Sequence, residues 1–290
     1  MHRHLEIALA LLLALVAAPA RAGEDAPARS REDAMPAFPS AREVIERAFQ
    51  NFYYCDLRAD IAFEVRRKGR TVLRYDTELM RKFIDGRAHD LFYFEGDGDM
   101  RGLRVLRIER DDRADDAFVF VPALQRVRRH VMAQRGDKML GMEVTIEDME
   151  VQRIAKLEIV GSSFSRVDGE PVQVVTMKRL LGGSYDRVDF FIATTDFAML
   201  EVRFYRRDVL EPYKVTRMSR ETMQQYPGHV LPQRIDFADR ERDTETTIWY
   251  GRREVNPELP DDRFTTLGLE KRKRLSLIRT RPADWEEARR

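Results

Sequence analysis

The sequence predicts a mainly β fold with a few helices, built on a curled antiparallel sheet that has one charged and one apolar face. Apolar residues alternate with charged residues through about ten short segments, as in strands that are covered on one side only. Turn signals such as Asp-Gly divide these segments by short connections, which is typical of an antiparallel meander. Only a few stretches have helical spacing, so the helices can cover only part of the apolar face.

Residues 1–22 have the pattern of a secretory signal peptide. Arg3 lies in a short basic start, residues 7–18 are almost entirely apolar, and Ala20 and Ala22 are the small residues that a signal peptidase recognises. The apolar run is short for a membrane span, although an uncleaved anchor is the alternative. We expect cleavage after Ala22 and a mature protein outside the cytoplasm.

Charge and cysteine content narrow the class of function. Lys and Arg number 51 and Asp and Glu number 50, so net charge gives no attraction to nucleic acid. Cys55 is the only cysteine, and an intramolecular disulfide is therefore impossible. It follows Phe52, Tyr53 and Tyr54, an apolar aromatic setting that favours a buried small side chain over a catalytic thiol.

The first predicted helix begins after a flexible leader. Residues 23–39 are rich in Ala, Pro, Arg and Asp without periodicity, which predicts a leader without regular structure. Ser40 and Glu43 have capping-box spacing, and Val44, Ile45, Ala48, Phe49 and Phe52 then form one apolar stripe up to residue 52. Two further helical stretches are expected at residues 145–154 and 282–290.

From residue 59 the period changes to two. Ile61, Phe63 and Val65 alternate with charged residues, and Lys68-Gly69 predicts a tight turn into a second strand. Between Leu103 and Ile108 the apolar residues change parity, which we interpret as a β-bulge. The further predicted strands are 91–94, 103–108, 118–121, 126–131, 156–160, 172–177, 188–193, 199–205, 213–217, 235–237 and 246–250.

No motif in the sequence calls for catalysis, a metal or another cofactor. His89, His130 and His229 are scattered and lack metal-ligand spacing. The sequence has no Gly-x-Ser-x-Gly motif, and Gly182-Gly183-Ser184 is not followed by the lysine of a P-loop. We therefore predict a binding protein rather than an enzyme.

Several short motifs follow one another in a fixed order over residues 40–269. They are Met100-Arg101-Gly102, residues 118–129 (FVFVPALQRVRR), Met139-Leu140-Gly141, Glu147-Asp148-Met149, Leu231-Pro232, Thr246-Thr247, residues 256–261 (NPELPD) and Phe264-Thr265. In their order and spacing these motifs resemble the outer membrane lipoprotein-sorting family, the LolA-like proteins. Residues 142–146 depart from the family pattern, and a basic tail at 270–290, with Lys271-Arg272-Lys273-Arg274, extends beyond it.

The resemblance implies an incomplete antiparallel β-barrel of about ten or eleven strands, with helices covering its concave mouth over an apolar cavity. It also implies a periplasmic carrier of acylated lipoproteins or other envelope lipids, with transient membrane contact and an inner-membrane transporter as partner. A lipid-sensing or partner-binding regulatory protein on the same fold is the alternative function. A hydrolase with distant triad residues is a third reading.

We predict the cavity lining from strand parity. The inward-facing aromatic and aliphatic residues of the strands are the candidates, with one residue of the first helix as part of a lid. They are Leu73, Tyr75, Leu79, Phe92, Phe118, Phe120, Val174, Phe190, Phe204 and Trp249, with Phe49 on the lid.

Overall fold

The computed structural model describes residues 38–95, 101–111, 113, 115–130, 153–180 and 185–271. The predicted signal peptide, almost all of the leader, most of the helical stretch at 145–154 and the one at 282–290 lie outside these residues. Among the described helices, none combines the length and apolar character that a membrane crossing requires.

Helix α1 (Ala41–Phe52) begins where the capping box predicts. The Glu43 backbone N–H donates to Ser40 Oγ at 3.3 Å, and the Ser40 backbone N–H donates to Glu43 Oε2 at 2.8 Å. These two bonds satisfy donors that a helix N-terminus otherwise leaves free. The predicted stripe of Val44, Ile45, Ala48 and Phe49 is buried, so the helix packs on the sheet by the expected face.

One large sheet dominates the fold, and its neighbouring strands are antiparallel. Its order is β6-β5-β4-β3-β2-β1-β15-β14-β11-β10-β9-β8-β7, while β12 and β13 form a separate hairpin. The bounds are β1 (Leu57–Arg67), β2 (Arg70–Ile84), β3 (Arg87–Glu95), β4 (Arg104–Ile108), β5 (Asp116–Val121), β6 (Arg126–His130), β7 (Leu157–Val167), β8 (Glu170–Arg179), β9 (Arg187–Ala193), β10 (Met199–Tyr205), β11 (Lys214–Met218), β12 (Met223–Tyr226), β13 (His229–Pro232), β14 (Arg234–Asp239) and β15 (Thr244–Val255).

The mainly β class is confirmed, but the strand number is wrong. The main sheet of the described residues has thirteen strands rather than ten or eleven, and it does not close, since β6 and β7 are its two edges. The apolar segments read from the sequence, two in the first hairpin and eleven after it, each overlap one of these thirteen strands, so the segments themselves were placed correctly. β1 and β2 extend beyond their apolar alternation, to Arg67 and from Arg70, and meet at the Lys68-Gly69 turn, where both residues have positive φ.

The sheet curls around one continuous core. The main cluster joins Val105 of β4 and Val119 of β5 near one edge with Leu157 of β7 at the other edge, and α1 contributes Ile45 and Phe49. Strands from both ends of the order can share one core only if the sheet bends around it. The predicted curled sheet with an apolar concave face is therefore present.

The outer face of β2–β5 has an apolar cover that the sequence analysis did not predict. A 3-10 helix (Asp261–Phe264) and helix α2 (Thr266–Lys271) follow β15, and Phe264 and Leu269 pack with Met80, Leu91 and Leu106. α1 covers the concave side of the sheet, and α2 lies on the opposite side, where no helix was predicted.

The same cover explains the change of parity in β4. The pairing of β4 with β3 and β5 is regular from Arg104 to Ile108, so the predicted bulge is wrong. Val105 faces the main core, and Leu106 faces the outer cluster. A strand that is buried on both faces has apolar residues at both odd and even positions. In the sequence this looks like the shift in alternation that a β-bulge would cause.

Elsewhere the outer face is charged, as predicted from the alternation. Arg58 donates to Glu78 at 3.0 Å across β1 and β2, and Arg217 pairs with Glu201 at 2.9 Å across β11 and β10. In both pairs the carboxylate is buried, Glu78 and Glu201 each being 3% exposed, while its arginine partner is more accessible. The arginine therefore compensates a carboxylate that the neighbouring strands shield from water.

Candidate functional site

The concave side of the sheet encloses a mostly apolar cavity of about 120 Å³. Its walls come from α1, from the strands on both sides of the sheet centre, and from the β12–β13 hairpin. The lining residues are Phe52, Tyr53, Cys55, Leu57, Ile61, Phe63, Leu79, Arg81, Phe92, Phe190, Met199, Val202, Phe204, Thr216, Met218, Leu231, Pro232, Ile235, Phe237, Ile248, Tyr250 and Arg253.

Polar contacts join the helix and the hairpin over the cavity. The backbone N–H of Val230 donates to Asn51 Oδ1, and His229 Nδ1 donates to the Asn51 carbonyl at 3.0 Å. Asn51 Nδ2 donates to the Asp196 carbonyl at 3.3 Å, in the turn between β9 and β10. α1 and the hairpin therefore form one cover, which is held to the sheet partly through a single buried asparagine.

Four of the predicted residues lie on the cavity wall. They are Leu79, Phe92, Phe190 and Phe204. Phe49, Leu73 and Tyr75 belong to the main core without lining the cavity; the ring of Phe49 packs on Phe190 at 5.1 Å.

Phe118, Phe120 and Val174 do not face the cavity, which corrects their predicted placement. Phe118 and Phe120 belong to the outer cluster under α2, and Val174 belongs to an outer cluster with Phe191 and Leu200. Trp249 lies between two lining residues of β15 and so has the opposite parity, with the Arg234 guanidinium 5.8 Å from its ring. Both faces of these strands are apolar, and parity alone could not assign them.

The polar wall residues were not predicted from the sequence. Arg81, Thr216 and Arg253 line the cavity together with the buried Cys55. Burial raises the pKa of the Cys55 thiol, so this side chain is a neutral part of the wall. In the sequence each of these residues stands among charged or β-branched neighbours, and only the strand register reveals that they point inward.

Arg81 is neutralised by a buried ionic cluster. Its Nε donates to Asp90 Oδ1 at 2.6 Å, Arg107 also pairs with Asp90, and Arg107 reaches Asp115 at 2.5 Å. Burial by itself would raise the pKa of Asp90, but Arg81 and Arg107 outweigh it and lower that pKa. Arg81, Asp90, Arg107 and Asp115 form the ionic cluster. Its positive and negative charges balance one another beside the cavity.

Arg253 has a different environment on the same wall. Its Nη2 donates to the Pro232 carbonyl at 2.6 Å, and its guanidinium lies 4.0 Å from the Tyr250 ring centroid. Nε and Nη1 are inaccessible to solvent and have no hydrogen-bond partner. Burial lowers the pKa of Arg253, against the opposing influence of Tyr250 and Tyr226. Among the described residues, no carboxylate forms an ion pair with it.

The size and chemistry of the cavity suit an apolar ligand. A dry cavity of about 150 Å³ in another protein binds benzene, so this one can hold part of an acyl chain without any change in the walls. No group of three or more His, Cys, Asp or Glu side chains placed to hold a metal ion occurs in the part of the chain that the structure describes. The arrangement can bind by hydrophobic burial, with two arginines at its border.

Comparison with known proteins gives one family and a consistent set of folds. A family model described as "-like: Uncharacterized protein" matches residues 86–271, well over half of the chain. None of the curated proteins matches the chain significantly.

Three solved structures have the same fold over most of the chain. A domain described as an outer membrane lipoprotein-sorting protein, from Vibrio parahaemolyticus, has a TM-score of 0.70 and 18% identity, covering 80% of this chain and 100% of its own. A DUF1329 family protein from Desulfovibrio piger has a TM-score of 0.69 and 17% identity, and the match covers 79% of this chain and 97% of the other. A LolA superfamily protein from Nitrosomonas europaea has a TM-score of 0.61 and 17% identity, and the match covers 78% of this chain and 98% of the other.

Proposed function

Because this chain belongs to the family described as "-like: Uncharacterized protein" and has the fold of outer membrane lipoprotein-sorting and LolA superfamily proteins, we propose that it carries acyl chains in its cavity. The cargo is an acylated lipoprotein or another envelope lipid, moved through the periplasm between the inner and outer membranes. The observation that carries the proposal is the apolar cavity between α1, the β12–β13 hairpin and the concave sheet.

The energetics explain why such a carrier is needed. Burial of one methylene is worth about 0.8 kcal/mol, so a sixteen-carbon chain in water costs on the order of 12 kcal/mol. A curved sheet offers apolar surface whose backbone hydrogen bonds are already made within the ladder. Cargo is then matched by hydrophobicity, and the carrier needs no catalytic group.

The site supports delivery as well as binding. α1 and the hairpin cover the cavity by apolar packing and by the polar contacts of Asn51, not by strands of a closed barrel wall. The proposal includes a signal peptide cleaved after Ala22, transient membrane contact and an inner-membrane transporter as partner.

A cavity-filling substitution tests the proposal. Val202 is buried, lines the cavity and pairs with Phe190 and Thr216, so Val202→Trp would project an indole into the space. We expect the variant to lose most of the lipid that co-purifies with wild-type protein from a periplasmic extract, measured by mass spectrometry. It should also lose transfer of a fluorescent acyl lipid between donor and acceptor vesicles.

Val160→Trp is the matched control, because Val160 is 43% exposed on the edge strand β7. It should keep both lipid content and transfer. Equal lipid content in Val202→Trp and wild type, with the variant folded by thermal unfolding, would contradict the proposal. Lipid binding without any transfer would favour the sensor function instead.

A further inference from the structure

Arg253 has a hydrogen-bonding capacity that the protein itself does not use. Two of its three guanidinium nitrogens are sealed from solvent without a partner, and the third donates to the Pro232 carbonyl. A buried donor without a partner is destabilising, and buried charges in proteins are normally paired. The rings of Tyr250 and Tyr226 also surround the guanidinium, at 4.0 and 6.0 Å, and the Tyr226 hydroxyl adds a hydrogen-bonding influence on it.

Arg81 shows what a compensated arginine looks like on the same wall. It has the Asp90 carboxylate at 2.6 Å, and Asp90 is itself fully buried between Arg81 and Arg107. Arg253 has aromatic rings and one carbonyl in place of a carboxylate. The cavity border therefore carries one uncompensated positive charge, next to a space that is otherwise lined mostly by apolar residues.

We propose that Arg253 binds the anionic head of a single-chain amphiphile, a carboxylate or phosphate oxygen at the end of one acyl chain. The inference rests on the proposed function and specifies its cargo. Because Nε and Nη1 are closed to solvent as the side chain stands, the guanidinium turns toward the cavity when the head enters. An oxyanion then satisfies one of these nitrogens in a charge-assisted hydrogen bond, which is about twice as strong as a neutral one. A neutral ester or alcohol offers only a weaker acceptor.

The dimensions of the cavity agree with one chain rather than several. The lining residues of β1 run from Leu57 to Phe63, six steps along the strand, or about 20 Å at the usual rise per residue. The enclosed volume of about 120 Å³ is narrow for that length. A slender chain along the cavity, with its head at Arg253, fits this shape better than a bundle of chains.

Direct binding to purified, delipidated protein tests the inference. The probes are palmitate, hexadecyl phosphate and 1-hexadecanol, which share one chain and differ in the head, each titrated against the intrinsic fluorescence or by calorimetry. We expect wild type to bind the two anions about tenfold to a hundredfold more tightly than the alcohol, as a hydrogen bond to a charged group predicts. Arg253→Gln should remove that preference and leave alcohol binding unchanged, and Arg253→Lys should restore part of it.

Arg234→Gln is the matched control. Arg234 also lies over an aromatic ring, Trp249, but it pairs with Asp236 and does not line the cavity. It should keep the preference for anions. A preference for palmitate over phosphate, or the reverse, identifies the source of the head group.

Two results would overturn the inference, and they are distinguishable. Equal affinity of wild type for palmitate, hexadecyl phosphate and hexadecanol would remove Arg253 as an anchor while leaving apolar binding intact. No binding of any probe would contradict the proposed function as well. Should Arg253→Gln fail to fold, the comparison of the three probes on wild type still decides.

Discussion

The inner and outer faces of β2–β5 are both apolar, but they are covered in different ways. The outer face is sealed by Phe264 and Leu269, and Arg104 donates to the carbonyls of Leu269 and Glu270 at 2.5 and 3.1 Å. The inner face is covered by α1 and leaves a cavity. The difference teaches that apolar strand residues here have two surroundings: those of one face are packed under a cover, and those of the other face border a cavity.

Two neighbouring residues of β2 offer the sharpest test of this contrast. Met80 is fully buried in the outer cluster, while Leu79 lines the cavity. We expect Met80→Ala to lower the free energy of unfolding by about 3–5 kcal/mol and Leu79→Ala by about 2 kcal/mol, because a side chain beside existing space has fewer contacts to lose. Chemical denaturation of delipidated protein measures both. Equal losses would mean that the inner face is packed as tightly as the outer one.

The inner cover should depend on Asn51. Asn51→Ala removes the acceptor of the Val230 N–H and the donor to the Asp196 carbonyl. Leaving these buried groups without partners should cost about 1–3 kcal/mol. Hydrogen exchange should accelerate in α1 and the β12–β13 hairpin and stay slow in α2. Uniform acceleration in both helices would show that the two covers are coupled.

A smaller effect is expected at the start of α1. Ser40→Ala removes the hydroxyl that accepts from the Glu43 N–H, while the backbone N–H of residue 40 can still donate to Glu43, and it should destabilise the protein by about 1 kcal/mol. The loss should appear as faster exchange in the first turn of the helix. Ser40→Asp, which keeps a capping acceptor, is the control and should retain most of the stability.

An effect that depends on pH concerns the charged part of the outer face. Burial, followed by the neighbouring Glu78 and Glu95, raises the pKa of Asp60 to about 6, while Arg58 and Arg252 oppose this. The folded protein then holds this proton more strongly than the unfolded chain, so stability should fall as pH rises through about 6. Asp60→Asn should be more stable than wild type at pH 8 and nearly equal to it at pH 4. Parallel pH profiles of the two proteins would contradict the assignment.

Local features were predictable from the sequence because their causes are local. The capping box at Ser40, the stripe from Val44 to Phe49 and the Lys68-Gly69 turn each depend on residues a few positions apart, and all three are confirmed. The resemblance to lipoprotein-sorting proteins is likewise confirmed at the level of fold.

For several strands, the sequence did not show which side chains point to the concave side, because this depends on segments that are distant in the chain. Phe118-Val119-Phe120-Val121 is apolar at both parities, and only the position of α2 decides that Phe118 and Phe120 face outward. The same holds for Arg253, whose unpartnered nitrogens follow from the register of β15 and from Pro232 on a separate hairpin. Alternation identifies an inward residue only where the other face is polar.

The unclosed sheet has a mechanical consequence. Within the described residues, β6 and β7 each have a strand on one side only, so no ring of hydrogen bonds fixes the circumference of the sheet. In a closed barrel, strand number and shear set the radius, and widening would break the ladder. Here the two margins are held by side-chain packing rather than by a ladder, so they can separate without the loss of a backbone pair. For the proposed carrier, this means that the cavity can exceed its resting volume while the sheet stays intact.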